Sequence, residues 1–159
     1  VEGIKDAVKY VDESIEVVVV ATGSFDDPIK AKQATDAMAS KGCDVITQNA
    51  DACGNGAVEE CDALGLVNVG AVGDQSAYGE SCFLSVIQDA HQGIAAAIDE
   101  AINGTLKPGP VVMGANANVV YLTGYTGKYA NLLTDEEKAT LQSVWQQAHD
   151  GIDLHTLTK

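Results

Sequence analysis

Val17-Val18-Val19-Val20-Ala21-Thr22-Gly23-Ser24-Phe25-Asp26-Asp27-Pro28 joins an unbroken apolar run to a helix start and strands an aromatic ring between them. Strands buried on both faces of a sheet read as continuous β-branched runs. Asp27 followed by Pro28 supplies an N-cap and a first-turn proline for the helix that follows. The reading is therefore strand, tight loop, helix, with Phe25 at the carboxyl end of a strand, where open α/β sheets form their crevices. Two roles fit the ring at this point: packing against its own loop, or facing a ligand.

Working outward, the same alternation continues. Helical spacing of Ile4, Ala7, Val8 and Val11 predicts a helix over Gly3 to Val11, and Ile15 to Ala21 reads as a buried strand. Pro28 to Ser40 is a helix closed by Gly42, Cys43 to Thr47 a strand, Gly56 to Leu64 a helix closed by Gly65, and Leu66 to Val72 a strand. Cys82 to Ile87 follows as a strand, Asp89 to Ile102 as an alanine-rich helix ended by Asn103-Gly104, and Pro110 to Gly114 as a strand. Asn118 to Leu122 reads as a short strand, and Thr134 to His149 as a helix opened by a capping box of Thr134 and Glu137. Strands separated by helices of about ten to fifteen residues define an α/β fold with a parallel sheet flanked by helices. The soft joint is Asp74 to Glu80, bounded by glycines and poor in apolar residues, a candidate hinge.

Composition limits what such a fold does. The 159 residues suffice for a full core. All nine basic residues are lysine, and the formal charge is −14. A surface this acidic repels phosphate backbones, so nucleic acid is not an expected partner. The absence of arginine removes the guanidinium fork that clamps phosphate or carboxylate, which favours a neutral or cationic ligand. No stretch approaches the roughly twenty apolar residues of a membrane span. The chain opens on Val1 rather than methionine, from which we expect a preceding segment to have been removed.

The cysteines at 43, 53, 61 and 82 lack the paired spacing of a zinc site, and His91, His149 and His155 lie far from them, so no metal is expected. Buried free thiols are the expected state, with a pair such as Cys53 with Cys61 or Cys82 as the alternative. A nucleotide-dependent enzyme on a doubly wound sheet would need an acid, base or nucleophile set. No convergent set is visible, and no cofactor is implied.

Four loops follow predicted strands: Gly23 to Asp27, Gln48 to Gly56, Val72 to Ala77 and Ala115 to Asn118. A parallel sheet gathers them on one edge. Gly54-Asn55-Gly56 leads into a helix and exposes backbone N–H groups suited to a carbonyl or hydroxyl oxygen. As a dinucleotide fingerprint it lacks the third glycine.

Thr22 to Lys32, the run Gly42-Cys43-Asp44-Val45-Ile46-Thr47-Gln48-Asn49-Ala50, the Gly54-Asn55-Gly56 turn and Val69-Gly70-Ala71-Val72-Gly73-Asp74-Gln75-Ser76 occur in that order. Together they resemble the C-terminal half of the basic membrane protein family, which includes purine nucleoside receptor lipoproteins, the solute-binding proteins of ABC transporters. The ending, Asn118 to Leu122, the Leu133 to Glu137 helix start and Gly151-Ile152, resembles it too. The resemblance implies one lobe of a periplasmic-binding-protein type I clamshell, non-catalytic, with an N-terminal lobe outside this chain. The implied division is a second lobe over 1–77, a hinge crossing and helix toward the first lobe over 78–105, and return strands with a C-terminal helix over 106–159.

The resemblance also implies a site: Phe25 stacking on a purine-like base, with Asp26, Asn49, Ala50, Gly54, Asn55, Val72, Asp74 and Gln88 around it. The family's carboxylate for sugar hydroxyls falls at Val72, and its lysine falls at Gln88. Two polar contacts are thus replaced, unless Asp74 takes the sugar instead. The implied partners are a small, neutral ligand and a transporter permease, with membrane attachment only through a lipid anchor outside the chain, in an extracytoplasmic setting. A ligand-sensing ectodomain on the same fold is the alternative.

Overall fold

The structure is a computed structural model and describes residues 1–151. Its elements are α1 (Glu2–Val11), α2 (Pro28–Ala39), β1 (Val45–Thr47), α3 (Asn55–Leu64), β2 (Val67–Val72), β3 (Cys82–Gln88), α4 (Ala90–Ile102), β4 (Val120–Leu122) and α5 (Asp135–His149). The four-stranded sheet runs β1-β2-β3-β4. β1, β2 and β3 are parallel, with Thr47 opposite Val69 and Val72 opposite Ile87. β4 is antiparallel to β3, with Val120 opposite Gln88. The parallel strands therefore end on one edge, where β4 begins. Residues 152–159, which hold His155 and Ile152 of the tail, lie outside the described residues.

Helix boundaries follow from local chemistry. The Asp27 carboxylate accepts the Ile29 N–H at 3.0 Å and Pro28 occupies the first turn, which starts α2. Thr134 and Glu137 form the reciprocal capping box of α5, and the two bonds Glu137 accepts from Thr134, backbone N–H first, hold its carboxyl below its ordinary value. Gly65 closes α3 at φ 72°, a conformation open to glycine.

Two sequence expectations are corrected. The run Ile15 to Ala21 is irregular and joins no strand ladder. A β-branched run favours an extended backbone without choosing its neighbour. Here Ile15 and Val17 line a groove with Lys5, Val8, Lys9 and Glu13 of α1 and its following turn, while Val19 and Val20 stay exposed. Pro110 to Gly114 is likewise irregular, with Val111 and Val112 exposed. Pro108 precedes this stretch and Pro110 opens it, and neither carries an N–H for a ladder.

The main core lies where α2, α3 and β1 meet: Ala31, Ile46, Cys53, Ala57 and Cys61, with Met38, Cys43, Ala50 and Leu66 packed around them. Its small side chains let the two helices approach closely. Residues 123–129 lace the other side together. Thr123 and Thr126 bond β3 through backbone and hydroxyl, Tyr125 stacks on Phe83 with ring centroids 5.1 Å apart, and the Tyr129 hydroxyl donates to the Gly65 carbonyl at 2.6 Å. By contrast, α4 buries no residue, and Ile94, Ile98 and Ile102 align on an exposed face.

All four cysteines are free thiols, with Cys53, Cys61 and Cys82 buried and Cys43 half-buried. Burial pushes the Cys61 thiol up to about 11 and raises Cys82 as well, so both remain protonated at neutral pH. A thiol reagent at pH 7.5 is expected to modify Cys43 first and to reach the other three only on unfolding. Native-state labelling of Cys61 at the Cys43 rate, read by mass spectrometry, would contradict this packing.

Candidate functional site at the strand ends

The parallel register puts the ends of β1, β2 and β3 on one edge, and the loop carrying Phe25 is tied to that edge without help from a preceding strand. Cys53 lies in the 3-10 turn Asp51–Gly54, between β1 and α3. Its N–H donates to the Phe25 carbonyl at 2.9 Å, and its thiol donates to the Asp27 carbonyl at 3.0 Å. The Phe25 backbone is thus fixed while its side chain remains 73% exposed. An apolar ring held outward at a strand edge offers a flat stacking surface.

The neighbouring residues divide into those that face the edge and those engaged locally. Asp26 is exposed, but its carboxylate accepts the Ser24 hydroxyl at 2.7 Å within its own loop. Asn49 is exposed just beyond β1. Ala50 donates its N–H to the Gln48 side chain at 2.7 Å, and a Cβ on Gly54 would collide with that same side chain. Gly54 therefore exists for close packing beside Gln48. Asn55 opens α3, half-buried, and its Oδ1 accepts from Gln75 Nε2 at 3.4 Å.

Val72 ends β2 in an unusual conformation. Its φ is 72°, and the Gly73 N–H donates back to the Ala71 carbonyl at 2.9 Å, which makes Val72 the centre of a γ-turn of the positive-φ kind. For a β-branched residue this region is a steric outlier, costing on the order of 1–3 kcal/mol. The side chain is 43% exposed at the edge. Asp74, two residues on, accepts the Ser76 N–H at 2.9 Å, and that backbone bond, with the Ser76 side chain, holds its carboxyl below the ordinary value. Its visible work is to shape the turn. Gln88 is exposed at the end of β3, opposite Val120 of β4 and one residue beyond Ile87, the partner of Val72, so the structure brings it to the same edge.

The resemblance keeps Gln75 beside Asp74 without giving it a role, and it gives none to Ser85; the structure joins the two. Gln75 is 5% exposed, and its N–H donates to the buried Ser85 hydroxyl at 3.0 Å. The available signal was Gly70, inside a strand. A Cβ there would strike the Ser85 hydroxyl and crowd Gln75, and glycine in a strand interior marks such close approach. No group of acidic, histidine or cysteine side chains able to hold a metal occurs among the described residues.

The strand ends thus form a polar, glycine-bearing edge, with an exposed aromatic ring anchored to the loop that follows β1. Over residues 2–152 the chain matches the family described as Bmp, ABC transporter substrate-binding protein PnrA-like, and it belongs to that family. It is 29% identical over 121 residues to the transcriptional activator protein med of Bacillus subtilis (strain 168), an alignment covering 76% of this chain and 38% of that protein. It superposes on the crystal structure of a transcriptional activator of the comK gene from Bacillus halodurans with a TM-score of 0.80 at 23% identity, covering 96% of this chain and 52% of the other. An ABC transporter solute-binding protein from Aeropyrum pernix K1 gives a TM-score of 0.71 at 19% identity, covering 94% and 51%. The chain therefore spans about half or less of the length of these relatives. The family and fold support a binding role.

Proposed function

We propose that this chain forms one wall of a ligand cleft for a flat, sparsely hydroxylated solute of nucleobase type, and that it serves as the solute-binding component of an ABC transporter without catalysing a reaction. The reading is carried by an outward, anchored Phe25 ring at the same strand-end edge as Val72, an apolar residue at the position where the resemblance implies a carboxylate. A base keeps the stack. A nucleoside would bury ribose hydroxyls against Val72 with no acceptor for them, at about 1–3 kcal/mol for each group left unpaired. In this reading a companion lobe covers the Ile94, Ile98 and Ile102 face of α4 and closes over the ligand. The Asp74 to Glu80 segment belongs to the hinge, a lipid anchor outside this chain holds the protein at the cell exterior, and a permease receives the solute.

Calorimetry of the full-length protein with adenosine, guanosine and inosine beside their free bases tests the ligand class. Bases are expected to bind more tightly. In the same assay Phe25→Ala should weaken base binding by about 1–3 kcal/mol, with the unfolding midpoint little changed because the ring is exposed. Sub-micromolar nucleoside binding abolished by Asp74→Ala would reject the ligand class and assign the sugar to Asp74.

The relatives named as transcriptional activators favour a second reading, in which ligand closure is a regulatory signal rather than delivery of cargo. The coding sequence upstream separates the two: a lipoprotein signal with its cysteine supports transport, and a membrane span joined to a signalling module supports sensing.

A further inference from the structure

Gln75 is buried although it follows exposed Asp74 in a loop. A buried primary amide must place both its oxygen and its amino group. Here the oxygen accepts the Ala71 N–H at 3.3 Å. A backbone N–H is only ever a donor, so this bond fixes which way the Gln75 amide points, and its Nε2 must be the atom that faces Asn55. Asn55 consequently turns its oxygen toward Gln75. Its own Nδ2 makes no hydrogen bond among the described residues and is the end left for a ligand. Through the Ser85 hydroxyl and the Ala71 N–H, the same glutamine ties β3 to the strained Val72 turn.

The geometry points to Gln75 as a positioning residue of the cleft wall: it sets the Asn55 amide so that the edge presents a fixed N–H donor at the start of α3, selecting ligands with an acceptor, a ring nitrogen or a carbonyl oxygen, at that point. This rests on the reading of the edge as a ligand wall. It adds a polar criterion to the apolar one supplied by Phe25. Gln75→Glu is the informative change. A carboxylate accepts on both oxygens, so Asn55 must rotate to donate, and the group offered to the ligand becomes an acceptor.

Two measurements on the full-length protein test this. By 15N-edited NMR, the Gln75 amino protons should exchange with water at least about tenfold more slowly than those of Asn55, and in Gln75→Glu the Asn55 amino protons should become the protected ones. By calorimetry with adenine, Gln75→Glu should lower affinity about tenfold, and the loss should vanish in an Asn55→Ala background. Equal exchange of the two amides in the unmodified protein overturns the proposal, as does an undiminished loss in the Asn55→Ala background. If neither bases nor nucleosides bind the unmodified protein, the ligand class fails, and the exchange rates, which need no ligand, still decide the role of Gln75.

Discussion

Val72→Asp in the full-length protein is expected to raise affinity for adenosine about tenfold to a hundredfold while leaving free adenine unchanged or slightly weaker. The gain follows from supplying an acceptor to ribose hydroxyls that otherwise lie unpaired against an isopropyl group, at about 1–3 kcal/mol, with each 1.4 kcal/mol worth a factor of ten. The backbone pulls the same way. Aspartate tolerates positive φ better than a β-branched residue, so the carboxylate would enter a turn already shaped for it and relieve strain held at φ 72°. A rise in adenosine affinity together with a higher unfolding midpoint would tie specificity and strain to one position. Unchanged adenosine affinity, with the site intact for adenine, would show that the sugar does not meet this turn.

The sequence made the caps and the parallel strands legible because each is written in a few adjacent residues. Asp27-Pro28 starts α2, Thr134 and Glu137 start α5, and Gly65 ends α3. It made the edge legible as well, since parallel strands place their following loops together. What it did not contain was partnership over distance. Val17 to Ala21 reads as a strand on composition, yet pairing requires a neighbour, and the only local information concerns the backbone's own preference. The antiparallel direction of β4 depends on Thr123 and Thr126 reaching back to β3, 38 and 44 residues away. The role of Gln75 was hidden for the same reason: its bonds to Asn55, Ala71 and Ser85 reach across the edge, and in sequence it is one polar residue in a polar loop. The candidate site thus reads in outline from sequence, while the orientation of its amides is a property of the packed edge.

Gly56→Ala is expected to destabilise the protein by about 2–3 kcal/mol, a fall in unfolding midpoint of roughly 5–10 °C for a domain of this size. Gly56 lies in the first turn of α3, where α2 begins beside it, and a Cβ there would be driven into the carbonyl group of Pro28. The obstacle is backbone at a helix start already fixed by the Asp27 cap, so neither a rotamer change nor a small shift clears it. Helix propensity works in the opposite direction by about 1 kcal/mol, and the clash exceeds it. The matched control is Gly3→Ala in α1, where nothing lies within 4 Å of the added methyl and the propensity gain stands alone. That variant should be neutral or slightly more stable in urea titration. The junction also carries the two Cys53 bonds to Phe25 and Asp27. Gly56→Ala should therefore weaken base binding at temperatures where the protein is still folded, because the ring's anchor moves with α3. Equal urea midpoints for Gly56→Ala and Gly3→Ala would mean that the two helix starts do not approach as closely as the structure has them, and the Phe25 loop would lose the support on which its outward position depends.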